Sequence, residues 1–187
     1  PLRGHFPPEN ERGRNRIKCM AHIIAFACIS ARRRGEICRA KHGDIDYENE
    51  IYWVRDMKHP TKKKGNDKFF ILWPELAEII RRQPRVNPND PHERIFPVNE
   101  NVVGQKFCHA VRLLGIPDLH FHDLRGTAIT RWQLEKDMPL EDIRVCISGH
   151  DSTKILEKVY DRRNAGDLKA KYSKHLRSAP AVQAMAA

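Results

Sequence analysis

The stretch Phe121-His122-Asp123-Leu124-Arg125 places a guanidinium three residues after an imidazole. The apolar pattern predicts a helix over residues 122–136, and residues at i and i+3 lie on the same face of a helix. Arginine presents a rigid fork to two phosphate oxygens, and neutral histidine can accept or return a proton. The pair therefore favours a phosphate site, although the same spacing also occurs by chance on exposed helix faces.

The segments around this stretch predict a mainly helical domain with one small sheet. Apolar residues recur at helical spacing over residues 15–31, 35–41, 74–83, 102–114, 140–148, 153–162 and 165–175. Residues 44–47 and 51–56 have strand composition and flank a turn, and Phe69–Leu72 supplies a third strand. The fold class that follows is mainly α with a small three-stranded antiparallel β-sheet.

The charge balance points to a polyanionic partner. The chain has 187 residues, with 34 Lys+Arg against 24 Asp+Glu and a formal net charge of +10. Such an excess on one domain favours DNA or RNA. No stretch approaches the ~20 apolar residues that span a bilayer, so we expect no membrane contact. The nucleotide-binding, zinc-protease and serine-hydrolase motifs are missing from the sequence, which removes the usual support for those classes.

The cysteines and histidines do not form a metal-binding pattern. The five cysteines are odd in number and have no zinc spacing, which favours a reducing compartment: Cys19, Cys28, Cys38, Cys108 and Cys146. His120, His122 and His150 are the histidines that could be considered as metal ligands, but they have no partner carboxylate at ligand spacing. We therefore expect no metal and no cofactor.

Two further stretches carry candidate functional groups. In Ser30–Glu36 three consecutive arginines follow an apolar helix, and Glu36 stands three residues after Arg33. Cations at a helix C-terminus often only complement its dipole, but three exceed what that requires. Gly149-His150 is followed ten residues later by Tyr160, and a lone tyrosine late in a helix is more often a packing residue.

The order of these motifs resembles the catalytic domain of the tyrosine recombinase (phage integrase) family. Ser30–Glu36 is similar to the first arginine box of the family, Thr-Gly-x-Arg-x-x-Glu, and residues 54–60 are similar to its lysine-bearing β2–β3 turn. The H-x-x-R and Gly-His boxes and the nucleophilic tyrosine follow in order. The resemblance assigns catalytic roles to Arg33, Lys58, His122, Arg125, His150 and Tyr160, with Glu36 in support.

Some positions depart from the family pattern. Gly126 stands where many members have a second histidine, Ala31 stands where glycine is usual, and the spacing from His150 to Tyr160 is one longer than in many relatives. Other arginines flank Arg33, and Lys62, Lys63 and Lys64 follow Lys58. Neighbouring residues are therefore alternatives for the first catalytic arginine and for the catalytic lysine.

The resemblance implies a site-specific DNA recombinase that needs neither metal nor ATP. Tyr160 would attack the phosphate and form a 3′-phosphotyrosine, Arg33 and Arg125 would hold the phosphate, and Lys58 would protonate the 5′-oxygen. His122 would take a proton or hold the phosphate, and His150 would donate a hydrogen bond to it. Four protomers would act on two DNA duplexes. The alternatives are a type IB topoisomerase-like enzyme and a non-catalytic DNA-binding protein.

The resemblance also implies a domain layout. We expect a lead-in over residues 1–14, a catalytic domain over 15–177 and a C-terminal tail over 178–187 that packs on a neighbouring protomer or frays. The separate N-terminal DNA-binding domain of the family is expected to be absent from this chain. A DNA-associated protein of bacterial or phage origin, located in the cytoplasm, is the corresponding expectation.

Overall fold

The computed structural model describes residues 11–57, 65–116, 118–150, 152–160 and 166. Within helical segments, the side chains of residues 11–18, 155, 159 and 160 are outside this description. Lys58, the predicted helix over 165–175 (apart from Gly166) and the predicted tail over 178–187 also lie outside the described residues.

Helices make up most of the described chain. The helices before the H-x-x-R box are α1 (Glu11–Ser30), α2 (Arg34–Arg39), α3 (Pro74–Arg81) and α4 (Glu100–Leu113), with a 3₁₀ turn at His42–Asp44. The later helices are α5 (Asp123–Leu134), α6 (Leu140–Asp142) and α7 (Thr153–Ile155). Helices α6 and α7 continue directly as π-helical segments, Ile143–Ser148 and Leu156–Tyr160.

The described strands form one antiparallel sheet in the order β1 (Ile45–Asp46), β2 (Ile51–Val54) and β3 (Lys68–Ile71). In the centre of the sheet Tyr52 pairs with Phe70. Both side chains point into the core, as expected when alternate residues of a strand face opposite sides. The predicted fold class, mainly helical with a three-stranded sheet, is confirmed.

Two hydrophobic clusters form the interior of the described structure. The larger one packs α1 and α2 with the sheet, α3 and α4, and the smaller one packs Ala31 with α5 and the two π-helical segments. Trp132 of α5 joins them, because its indole lies 4.4 Å from the ring of Trp73 and donates a 2.7 Å hydrogen bond to the carbonyl of Ile29. The end of α1 therefore lies directly against α5.

Several helix boundaries differ from the sequence prediction by a few residues, chiefly those of α1 and α5. Within the described residues α1 already extends from Glu11, inside the predicted lead-in, where Glu11, Arg12 and Arg14 are good helix formers, although Gly13 is a poor one. His122 caps α5 instead of lying inside it, and α5 ends at Leu134. None of the described helices is both long and apolar enough to cross a lipid bilayer.

Candidate active site

The turn after α1 is closed by a non-glycine residue in the left-handed region. Ala31 has φ +53°, is fully buried and donates its N–H to the carbonyl of Ala27 at 3.1 Å. A residue with a Cβ is disfavoured there by about 1 kcal/mol or more. The alanine that departs from the family's usual glycine thus occupies a position whose backbone suits glycine. The turn directs the Ala31 carbonyl toward α5.

Glu36 holds Arg33 at the start of α2. Its carboxylate accepts hydrogen bonds from the Arg33 backbone N–H at 3.0 Å and from Arg33 Nη1 at 2.9 Å. Burial alone would raise the pKa of Glu36, but the charge of Arg32 and the hydrogen bonds from Arg33 outweigh it and lower the pKa. Glu36 is therefore a charged, buried anchor, as the i, i+3 spacing predicts.

The three consecutive arginines point in three directions. Arg32 is 2% exposed and packs beneath the site, where its guanidinium lies 3.8 Å from the centre of the Phe70 ring. Arg34 lies against α4, where its guanidinium fills the space that a Cβ at Gly104 would occupy. Arg33 is the one whose charge acts on His122. The structure therefore places Arg33 beside the H-x-x-R box.

Arg125 is buried at 2% exposure and is held by groups distant in sequence. Its Nη1 donates to the carbonyl of Ala31, and its Nη2 donates to the carbonyl of Ser148 at 2.9 Å. The same Nη2 lies 3.0 Å from His150 Nε2. One guanidinium thus joins the turn after α1 to the Gly-His turn.

His122 lies one helical turn before Arg125 and is more exposed. Desolvation of its ring and then the positive charges of Arg125 and Arg33 lower its pKa, against the attraction of Asp123 and Glu36. A lowered pKa keeps the imidazole neutral near pH 7, so it can accept a proton.

Gly149 ends the π-helical segment Ile143–Ser148 with φ +68°. A Cβ at this position would lie 2.8 Å from Phe70 Cζ and 3.0 Å from Met57 Cε. Glycine is therefore required by the backbone conformation and by the space. The turn brings the imidazole of His150, 9% exposed, against Arg125.

The structure locates the segment of the predicted nucleophile by its backbone. Residue Tyr160 ends the π-helical segment Leu156–Tyr160, which contacts α5, and Leu156 is fully buried. Of the other tyrosines, Tyr52 is buried in the sheet and burial raises the pKa of its phenol. Tyr52 is therefore unsuited to attack a phosphate.

The structure adds a lysine that the sequence analysis did not single out. Lys68 Nζ donates a 2.9 Å hydrogen bond to the carbonyl of Gly149. Strand alternation could have indicated it, because Lys68 and the buried Phe70 lie on the same face of β3. The sequence held no comparable signal for the burial of Arg32.

Four predicted residues meet in one place: Arg33, His122, Arg125 and His150, with Glu36 behind Arg33. Two guanidiniums and two imidazoles suit binding of a phosphodiester and transfer of a proton. Among the described residues, no three His, Cys, Asp or Glu side chains are grouped so that they could hold a metal ion.

The chain is similar to known proteins over most of its length. Residues 8–166 match the Phage integrase family. An integrase/recombinase of Haemophilus influenzae is 30% identical over 141 residues, which cover 75% of this chain and 43% of that protein. The shufflon-specific DNA recombinase of Escherichia coli is 28% identical, with 87% of this chain and 39% of that protein covered. The chain thus spans less than half the length of these relatives.

Solved structures show the same fold. The crystal structure of XerA recombinase aligns with a TM-score of 0.59 at 20% identity and covers 91% of this chain and 66% of that chain. The Tn1549 transposon integrase, solved in complex with transposon right end DNA, aligns with a TM-score of 0.56 at 14% identity and covers 92% and 67%. At these identities the alignments establish the architecture alone.

Proposed function

Because the chain belongs to the phage integrase family, we propose that it is the catalytic part of a site-specific DNA recombinase. In this proposal the protein cleaves and rejoins DNA strands through a 3′-phosphotyrosine. The observation that carries the proposal is the meeting of Arg33, His122, Arg125 and His150, which come from three separate segments. The segment Leu156–Tyr160 contacts α5, which contains Arg125 and is capped by His122.

The two arginines would stabilise the charge that builds on the phosphate. Arg125 is directed by backbone carbonyls and Arg33 by Glu36, so their donors are oriented before the substrate binds. Oriented donors in a desolvated site are worth more than the same donors in water. Arg125 Nη2 and His150 Nε2 lie 3.0 Å apart, so both side chains could contact one phosphate that binds beside them.

Proton transfer would proceed at both ends of the broken bond. A free phenol has a pKa of about 10, so attack by Tyr160 needs a base, which the neutral imidazole of His122 can supply. The Tyr160 oxygen forms a bond to phosphorus as the bond to the 5′-oxygen breaks. Lys58 would donate the proton to that 5′-oxygen, and Lys62, Lys63 and Lys64 are the alternatives.

The proposed intermediate keeps the energy of the phosphodiester bond. Attack of a 5′-hydroxyl on the phosphotyrosine re-forms a phosphodiester and releases the phenol, so rejoining needs no ATP. The guanidiniums take the role that a metal ion has in other phosphoryl-transfer enzymes. No cofactor enters this scheme.

The proposed partner is double-stranded DNA, in keeping with the net charge of +10. Exchange between two sites requires four cleavages, so we propose that four protomers assemble on two duplexes. Action within the cytoplasm, on DNA of a bacterial or phage genome, belongs to the same proposal.

The test of the function is covalent trapping on nicked DNA. The protein is mixed with a library of nicked duplexes, and adducts are isolated, sequenced and mapped to a peptide. We expect Tyr160→Phe to bind DNA and form no adduct, because it keeps the ring and loses the nucleophile. Tyr172→Phe is the matched control and should form the adduct as the wild type does. Adducts that persist in Tyr160→Phe would overturn the nucleophile assignment, and their absence from the wild type would overturn the proposed function.

A plasmid assay separates the recombinase from a topoisomerase-like enzyme. Relaxation of a supercoiled plasmid that lacks every sequence recovered in the adducts would favour the topoisomerase-like reaction. Recombination between two copies of a recovered sequence supports the recombinase.

A further inference from the structure

We propose that Arg32 is a positioning residue for DNA cleavage, which orients His150 by holding the Gly149–His150 turn against the sheet. The inference rests on the proposed function and adds a residue that the family motifs do not assign. Arg32 itself does not reach the phosphate site in this role, because its guanidinium is buried beneath it.

The contacts of Arg32 connect elements that are far apart in sequence. Its Nε donates to the carbonyl of Ser30 at 3.1 Å, and its Nη2 donates to the carbonyl of Ile147. Its Nη1 lies 3.9 Å from the sulfur of Met57, and its Cζ lies 3.8 Å from the centre of the Phe70 ring of β3. One side chain therefore contacts the first arginine turn, the sheet and the segment before His150.

These contacts lie next to residues of the proposed chemistry. Ile147 is three residues before His150, and Met57 directly precedes Lys58. Met57 and Phe70 also line the space into which Gly149 fits. A displacement of the guanidinium would therefore be passed to the Gly-His turn through the Ile147 carbonyl and through the packing around Gly149.

The buried charge of Arg32 indicates that this side chain fixes the position of the groups around it. The ion pairs among the described residues do not include Arg32, so its guanidinium is compensated by carbonyls, by an aromatic face and by the field of Glu36. Burying a charge in this way is costly, and a methionine would fill similar space without that cost. What the guanidinium contributes is a planar set of donors with fixed directions. Those directions determine where the Ile147 carbonyl lies.

A double-mutant cycle tests whether Arg32 acts through His150. We compare single-turnover cleavage of nicked DNA by the wild type, Arg32→Met, His150→Ala and the double variant, each at saturating protein. Arg32→Met should keep DNA affinity and lose about 10–100-fold in cleavage rate, the range expected for misplacing a reacting group. The double variant should cleave no more slowly than His150→Ala. Multiplied losses in the double variant would overturn the proposal, as would a wild-type rate in Arg32→Met.

Two further variants keep the test decisive. Arg34→Met removes the neighbouring arginine, which packs on α4, and should cleave at the wild-type rate even if its melting temperature falls. A cleavage loss in Arg34→Met equal to that in Arg32→Met would overturn the proposal.

If Arg32→Met does not fold, Arg32→Lys provides the test. The lysine keeps the positive charge but cannot reach both carbonyls, so cleavage should be slower while DNA binding is unchanged. Wild-type cleavage by Arg32→Lys would then overturn the proposal. Lack of any wild-type adduct would instead count against the proposed function.

Discussion

The floor and the rim of the candidate site both contain arginine, but hold it by different means. The floor consists of Arg32 and Arg125, both 2% exposed and directed by backbone carbonyls. The rim consists of Arg33, Glu36 and His122, where a carboxylate accepts from the guanidinium. Carbonyls orient a guanidinium without carrying a net charge, whereas a carboxylate also offsets it. The floor arginines are therefore held without a carboxylate in contact, whereas Glu36 partly offsets the charge of Arg33 at the rim.

The floor and the rim should contribute differently to the stability of the fold. Removing a floor arginine leaves buried carbonyls without their donors, and each such group costs about 1–3 kcal/mol. At the rim, removing Arg33 leaves Glu36 its hydrogen bond from the backbone and the attraction of Arg32. The floor should thus contribute more to folding than the rim.

The largest expected effect distinguishes Arg125 from Arg33. We expect Arg125→Met to lower the free energy of unfolding by about 2–5 kcal/mol, since two buried carbonyls lose their donor. Arg33→Met should lower it by about 1–2 kcal/mol. Urea unfolding followed by circular dichroism measures both, and cleavage should be lost in each. Equal losses of stability would remove the distinction between floor and rim.

A smaller effect concerns the carboxylate of the rim. The pKa of Glu36 is lower in the folded protein than its unfolded value near ~4.3, so its ionised form stabilises the fold above that pH and the contribution is lost as the pH falls through the folded pKa. We expect Glu36→Gln to be less stable at pH 7 by about 1–3 kcal/mol, the scale of a hydrogen bond to a charged group.

The pH dependence gives the control for this prediction. The difference in unfolding free energy between wild type and Glu36→Gln should shrink as the pH is lowered below ~4.3. Glu78→Gln, on the exposed surface of α3, should show almost no difference at any pH. A wild-type advantage that grows on acidification would contradict the lowered pKa.

The smallest effect is the titration of His122. The pKa of His122 is lowered first by desolvation and then by Arg125 and Arg33. In Arg33→Met it should rise toward the ordinary value, because one positive charge is removed, and it should stay below that value because the other causes remain. NMR titration of the imidazole measures both. An unchanged pKa would place the charge of Arg33 away from His122 and weaken the assignment of Arg33 to the rim.

Local spacing predicted the parts of this site that depend on neighbouring residues. The i, i+3 pair of Arg33 and Glu36 forms as expected, and the sheet follows from alternation around Tyr52. The predicted start of α1 was late by at least four residues, because weak propensity differences decide where a helix begins. The backbone conformation that favours glycine at residue 31 is occupied by alanine, so composition alone did not mark that turn.

The fold class and the pairs that lie within one helical turn could be predicted from the sequence, because they depend on periods of 2 and 3.6 residues. Which of the three consecutive arginines faces His122 depends on tertiary packing, since their sequence environment is nearly the same. The tertiary structure also decided that Arg125 is buried against Ala31 and His150, which are 94 and 25 residues away. Such contacts depend on how helices and sheet pack, and packing is set by the whole interior rather than by local spacing.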